Sequence, residues 1–436
     1  MRKFFSVLVT AIMSFAAGCG GGSSGSTPVG VPVGGGSNDE MSIVVDGGPI
    51  AGVNYEDAAF ATAKICVPGS ATCVTVDHLL VDTGSVGLRV LASALGNLSL
   101  PVATSNGQTL NDCAQFVDNS FVWGPVESAD VTLGGEVASN IPIHVLADPT
   151  APNTFTIPAT CNTGGPDDDQ LGTAATPGLG ANGILGIGQE PLDCGQACDP
   201  NFVVAPPAGD PYYLCTTSSC APALVAEASQ VVNPVVAFSV DNNGTIIELP
   251  VPTSSVQANL TGSLIFGIGT QSNNGLASSA TVFAVDSSDS FTTVFPTSNG
   301  QTLTASFIDS GTNGIFFPDS AANVPVVECS ANGIAPGFYC PASTQALSAQ
   351  NVGANGAANT VNFSVDNAES LFTNDSGDAV MQNLAGSNGV GTCIGGMRQC
   401  SFDWGLPFFY GRNVYTAIDG QAVPANANAN APWWAY

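Results

Sequence analysis

The sequence predicts a mostly β protein, long enough for two domains and poor in helix. Three observations carry that reading. The chain has 436 residues, enough for two domains of ordinary size. Its 51 Gly and 29 Pro, with many Ser, Thr and Asn, break the apolar residues into short Val/Ile/Phe runs. No long segment repeats its apolar residues with helical period, so the runs read as strands bounded by turns.

The first element reads as a targeting signal. Arg2 and Lys3 precede an apolar run from Phe4 to Ala17. That run is too short for a membrane span and reads as a secretory signal. Ala16, Ala17 and Gly18 before Cys19 resemble the lipobox of bacterial lipoproteins, with Ala16 in the usual place of leucine. The resemblance implies that Cys19 becomes the lipidated N-terminus. The alternative is ordinary cleavage that leaves a free thiol. The Gly/Ser-rich stretch after Cys19 is a flexible tether. The expected organisation is signal peptide 1–18, tether 19–40, an N-terminal β lobe 41–250 and a C-terminal β lobe 251–436. Gly20, not aspartate, follows Cys19, which points to the outer membrane of a bacterial envelope. The segment before Met41 is too short and Gly-rich for a folded pro-segment, so no zymogen step is expected.

Cysteine and charge agree with export. Thirteen cysteines become twelve without Cys19, an even set suited to disulfides. Four close pairs are placed to clip hairpins or loops: Cys66 with Cys73, Cys215 with Cys220, Cys329 with Cys340, and Cys393 with Cys400. Cys113, Cys161, Cys194 and Cys198 stay unassigned. Two histidines and no Cys-x-x-Cys argue against a metal site, and no cofactor is called for. Thirty-four acids face six bases, for a net charge of −28, and the two bases of the signal lie outside the mature chain. Such a surface repels nucleic acid and anionic lipid headgroups. The one Gly-x-Ser-x-Gly, at Gly21–Gly25, lies in the Gly/Ser-rich tether and follows no strand, which argues against a serine-hydrolase elbow. A monomer is expected.

The body follows in order. "MSIVVDGG" opens it. "AFATAKIC" and "CVTVDHLLVD" read as strands around Pro68-Gly69, stapled by Cys66 and Cys73. "TSNGQTL" occurs at 104–110 and again at 297–303, each copy with a hairpin-type Asn-Gly. Residues 121–137 read as strand, turn, strand, and 182–188 as a short buried strand. The Gly/Pro/Asp/Cys-rich stretch 161–220 reads as loops, and 222–232 as one of the few helices. "VVAFSV" (235–240) and "GSLIFGIG" (262–269) read as strands. Residues 400–420 read as strand, aromatic turn, strand, and the final Trp433, Trp434 and Tyr436 are expected to dock on the body.

Two stretches place a carboxylate at the end of a buried run: "HLLVDTGS" at Asp82 and "SFIDSGT" at Asp309. A lone buried Asp costs several kcal/mol unless paired or hydrogen-bonded. Two carboxylates held close share a proton, so one can act as base and the other as acid. Gly84 and Gly311 allow turns tight enough for backbone N–H groups to reach the carboxylates. The pair of Asp-[Thr/Ser]-Gly-[Ser/Thr] motifs resembles the pepsin-like aspartic proteases. "GILGIG", "PVVAFSVDNNGTIIELPVP" and "WGLPFFYGRNVYTAID" are similar to further elements of that family in the same order. The resemblance implies an all-β, two-lobed pepsin-like fold with one such loop per lobe. It implies Asp82 and Asp309 as the catalytic pair, cross-lobe hydrogen bonds from Thr83 and Ser310, and bonds from Ser85 and Thr312 to the outer carboxylate oxygens. It further implies an extended peptide or protein as substrate.

The chain departs from the family at the flap. The family's hairpin usually carries a tyrosine, and none lies between Tyr55 and Tyr212. Phe116, Phe121 and Trp123 are the candidates to cover the cleft, and Arg89 stands where a tryptophan often lies. His78 and Arg412 read as structural. The alternative to a peptidase is a surface binding lipoprotein that reuses the fold without catalysis.

Overall fold

A computed structural model of the chain describes residues 38–116, 119–147, 157–162, 164–173, 176, 178–207, 209, 211–295, 300–318, 326–388 and 401–436. Cys19, the signal and nearly all of the tether lie outside them. Cys400 and its expected partner Cys393 also lie outside the described residues. The disulfide expected between Cys393 and Cys400 is therefore not among those the structure shows.

Each half of the chain contains the same four-strand arrangement. In the first, strand Cys73–Asp82 delivers Asp82 and strand Val86–Leu91 leaves it. Strand Gly183–Ile187 runs between the two, parallel to the first and antiparallel to the second. Strand Glu136–Leu146 then lies parallel to Val86–Leu91 on its outer side. In the second half, Gln301–Ile308 delivers Asp309 and Ile315–Phe317 leaves it. Asp403–Trp404 runs between them, again parallel to one and antiparallel to the other, and Ala385–Ser387 lies parallel outside. The central strands are buried on both faces, which is why "GILGI" is a continuous small-and-apolar run.

The halves are joined by backbone pairing. Strand Glu40–Val45 pairs with Ala59–Cys66 of the first half and Leu260–Phe266 of the second. Gly244–Leu249, Arg412–Ala417 and Trp433–Ala435 extend that sheet, which reaches 16 strands. A seven-stranded sheet completes the second half, filled by Phe295, Phe317, Phe363, Phe402 and Trp404 in mutual ring contact. The protein is therefore all-β and two-lobed, with short helices at Ala92–Leu95 and Ala368–Asn374.

Several local expectations meet the structure directly. Asn106 and Gly107 both have positive φ, at 51° and 76°, as a two-residue hairpin turn requires. Residues 297–299 of the second "TSNGQTL" copy lie outside the described residues. Disulfides join Cys66–Cys73, Cys215–Cys220 and Cys329–Cys340, and also Cys113–Cys161 and Cys194–Cys198, the four cysteines the sequence leaves open. Trp433 and Trp434 are buried in a strand between Arg412–Ala417 and Val282–Ala284.

Three expectations fail. Residues 222–232 form no α-helix. They hold the end of strand Cys220–Pro222 and a 3-10 turn at Glu227–Ser229, because Val225 and Val231 both enter one cluster in extended chain. Residues 235–240 are not a strand. Asn233 accepts a hydrogen bond from Val235 N–H at 3.1 Å and Pro234 fixes the start of a 3-10 turn. The stretch 161–220 is not all loop, since Tyr212–Cys215 forms a strand beside Gln108–Gln115.

Candidate active site

Asp82 and Asp309 meet where the two halves face each other. Both are buried, at 3% and 0% exposure. In the first loop, Gly84 N–H donates to Asp82 Oδ1 at 2.8 Å and the Ser85 hydroxyl donates to Oδ2. In the second, Gly311 N–H donates to Asp309 Oδ1 at 2.8 Å and the Thr312 hydroxyl to Oδ2 at 3.1 Å. The same donor types, a glycine N–H and a hydroxyl, therefore hold both carboxylates.

The loops lock each other reciprocally. Thr83 N–H donates to Ser310 Oγ at 3.1 Å, and Ser310 N–H to Thr83 Oγ1 at 3.0 Å. Each hydroxyl then donates across the junction: Ser310 to Val81 O at 2.7 Å, Thr83 to Ile308 O at 3.3 Å. A hydroxyl can accept one bond and donate another, and both side chains do so. The two glycines make room. A Cβ on Gly84 would press into the Asp309 carboxylate, and one on Gly311 would stand 2.6 Å from Asp82 Oδ1. Each glycine faces the opposite aspartate, so the carboxylates lie against each other.

The electrostatics follow from burial. Desolvation holds the Asp309 carboxyl well above the usual carboxylate range, and the charge of Asp82 pushes it further the same way. A buried pair of this kind retains a proton where a surface pair would lose it.

Asp403 was not singled out in the sequence. It is 2% exposed and sits on the strand between those flanking Asp309, paired with Phe307 on one side and Phe316 on the other. The signal was present: a carboxylate inside the aromatic run "CSFDWGLPFF" repeats the anomaly that marks Asp82.

The flap candidates are packed in apolar clusters. Residues 108–115 and 121–133 form the expected hairpin. Phe116 packs with Phe60, Leu80, Val122 and Ile184. Phe121 and Trp123 pack with Tyr213 around Cys113–Cys161. All three side chains are buried in these clusters of the first half. Tyrosine reaches the hairpin from elsewhere in the chain: Tyr212 and Tyr213 pair with Asp112 and Asn111.

Arg89 anchors the hairpin. Its guanidinium donates to Asp112, and Nη2 to Asp193 Oδ2 at 3.3 Å, while His144 Nδ1 lies 2.7 Å from Nη1. The Tyr212 hydroxyl donates to Asp193 and accepts from Val231 N–H at 2.6 Å. Burial pushes His144 down to about 3, so Arg89 is the cation of this cluster. His78 sits against Asp46 and Asp77 and tilts on Phe60. Arg412 bonds Phe408 O at 2.6 Å and lies over the Phe408 ring.

The lobes are also latched by Asp57. Asp57 N–H donates to Ala379 O at 2.7 Å, and Asp57 Oδ1 accepts from Met381 N–H at 2.8 Å and from the Tyr410 hydroxyl. Burial holds Asp57 well above its ordinary range and raises its neighbour Glu56 to about 7.

A family model described as a protein of unknown function (DUF3443) matches residues 35–436. The chain belongs to the DUF3443 family. No curated protein matches this DUF3443 chain. Among solved structures, an aspartic proteinase from Irpex lacteus is similar at 16% identity and a TM-score of 0.43, over 87% of this chain and 94% of that one.

Proposed function

We propose that this protein is an exported, lipid-anchored aspartic endopeptidase of a bacterial envelope, tethered through Cys19 at the outer membrane. The observation that carries the catalytic part is the buried Asp82–Asp309 pair, with matched donors on each carboxylate and a reciprocal Thr83–Ser310 lock. In the mechanism the pair holds one proton. Asp309, the more deeply buried of the two, keeps it. Asp82 takes a proton from a water between them as the water oxygen attacks the peptide carbonyl carbon. Asp309 donates its proton to the carbonyl oxygen. Collapse of the tetrahedral intermediate breaks the C–N bond as one of its hydroxyls returns a proton to Asp309 and re-forms the carbonyl, and the proton on Asp82 leaves with the amine. Substrate would bind as an extended strand, with backbone hydrogen bonds supplying much of the affinity.

The burial of Phe116, Phe121 and Trp123 in lobe clusters favours a second reading, a binding lipoprotein without turnover. A cleavage assay separates the two. The oxidised protein is incubated with an unfolded protein from pH 3 to 7, beside Asp82→Asn, Asp309→Asn and a statine-type transition-state mimic. Cleavage abolished by either substitution and by the mimic establishes the peptidase. A folded wild type that cleaves nothing across that range leaves the binding reading.

A further inference from the structure

We propose that Asp403 is a third carboxyl group of the site, a positioning residue that keeps its proton at neutral pH and donates it to Thr312, which in turn holds Asp309. The inference rests on reading Asp82 and Asp309 as the reactive pair.

The argument starts from hydrogen-bond supply. Both oxygens of Asp403 are buried without a hydrogen bond of good geometry, and the one donor near them is the Thr312 hydroxyl. The strands that flank it, "QTLTASFI" and "IFF", carry no titratable side chain. The titratable groups that face it are Asp82 and Asp309, both acids. Thr312 is placed beside Asp403, but its single hydroxyl proton goes to Asp309 Oδ2 at 3.1 Å. An anion here would be buried beside two other acids, with only a hydroxyl proton already given to Asp309 to share, an arrangement that costs several kcal/mol.

Protonation removes the conflict. A neutral carboxyl has one O–H to give, and the Thr312 oxygen can accept while its own proton is committed. The chain then runs Asp403 O–H to Thr312 Oγ1, and Thr312 O–H to Asp309 Oδ2. Each bond polarises the next, so Asp403 fixes the direction in which Thr312 points. Desolvation, the largest influence on Asp403, raises its pKa well above the ordinary range, in the same sense. The equivalent central strand of the first lobe is "GILGI", which carries no acid. There the Ser85 hydroxyl holds the outer oxygen of Asp82. The site is therefore asymmetric, and the asymmetry lies on the Asp309 side.

Two measurements test this, one of them independent of turnover. Infrared spectra of wild type and Asp403→Asn are subtracted at pH 7. The expected difference contains a protonated-carboxyl C=O stretch present in wild type and lost in the variant. Absence of that band means that Asp403 is ionised and overturns the proposal, whatever the protein does to peptides. If Asp403→Asn does not fold, Thr312→Val replaces it. Loss of the acceptor should then shift the band of Asp403, and an unchanged band overturns the chain. The second measurement is kcat against pH for Asp403→Asn and Asp403→Leu. The amide can still donate to Thr312, so Asn should keep kcat within about threefold of wild type at acid pH and retain it to higher pH than wild type. Leu cannot donate, and its kcat should fall at least tenfold at every pH. Equal losses in Asn and Leu would make Asp403 a space-filler. A wild type that shows the band but cleaves nothing refutes the peptidase reading and leaves the protonated Asp403 standing.

Discussion

Removing the Arg89 guanidinium should destabilise the protein strongly at neutral pH and weakly in acid. Arg89→Met keeps most of the stem volume and deletes the charge. The side chain is 5% exposed, and its partners Asp112 and Asp193 are 0% and 4% exposed. In the native cluster one cation faces two carboxyls. Burial, with the charge of Asp112, holds Asp193 well above its usual range, so one proton and one guanidinium serve the two acids. Without Arg89, a buried carboxylate must take up a proton to stay where it is. Binding a proton at pH 7 to a group whose unfolded pKa is about 3.9 costs about 1.4 kcal/mol per pH unit, or roughly 4 kcal/mol. That lies within the roughly 3–5 kcal/mol range for breaking buried ion pairs. At pH 4 the same proton is nearly free, and the loss should shrink to about 1 kcal/mol, the residue of lost packing and hydrogen bonds. The assay is urea unfolding followed by tryptophan fluorescence at pH 7 and pH 4, disulfides intact, on both proteins. A deficit equal at the two pH values, or below about 1 kcal/mol at pH 7, refutes the reasoning. Because Arg89 lies on strand Val86–Leu91, which leaves the Asp82 loop, and Asp112 lies on the hairpin, the variant should also lose cleavage before it loses its fold.

The remaining predictions concern the site and its pH dependence. Ser310→Ala removes a donor to Val81 O and strands the Thr83 N–H; it should cost about 2–3 kcal/mol by denaturant unfolding, while Ser310→Thr retains both bonds. Gly311→Ala places a Cβ 2.6 Å from Asp82 Oδ1 and should lower kcat about a hundredfold by displacing the carboxylate, read from initial rates on a protein that still melts cooperatively. Stability should fall as pH rises from 4 to 8. Glu56, raised by burial to about 7, keeps a proton that the unfolded chain releases above about pH 4.5. Its contribution is fully present below that value and lost as pH passes 7, about 3 kcal/mol in all. Glu56→Gln should flatten the thermal-melting profile between those limits, and an unchanged slope would assign the effect elsewhere.

Features that depend on a few neighbouring residues could be read from the chain. Asp82 and Asp309 were legible because a carboxylate at the end of an apolar run is costly, and the glycine and hydroxyl that relieve the cost follow within three residues. The Asn106-Gly107 turn was legible because it demands positive φ at both positions. Cys66–Cys73, Cys215–Cys220 and Cys329–Cys340 were legible because short separations bring both thiols to one hairpin or loop. Apolar runs without such markers were ambiguous, and 222–232 and 235–240 went to 3-10 turns once Val225, Val231 and the Asn233 cap found their partners. Features that depend on distant chain waited for the packed fold. Cys113 meets Cys161 across 48 residues. Tyr212 is carried to the hairpin by a strand from a stretch that read as loop. Asp403 lies beside Asp309 because a central strand must pass between the two that flank the loop. Side-chain burial and proton occupancy are set by which surfaces the sheet brings together, and a linear pattern carries no record of that until the strands pair.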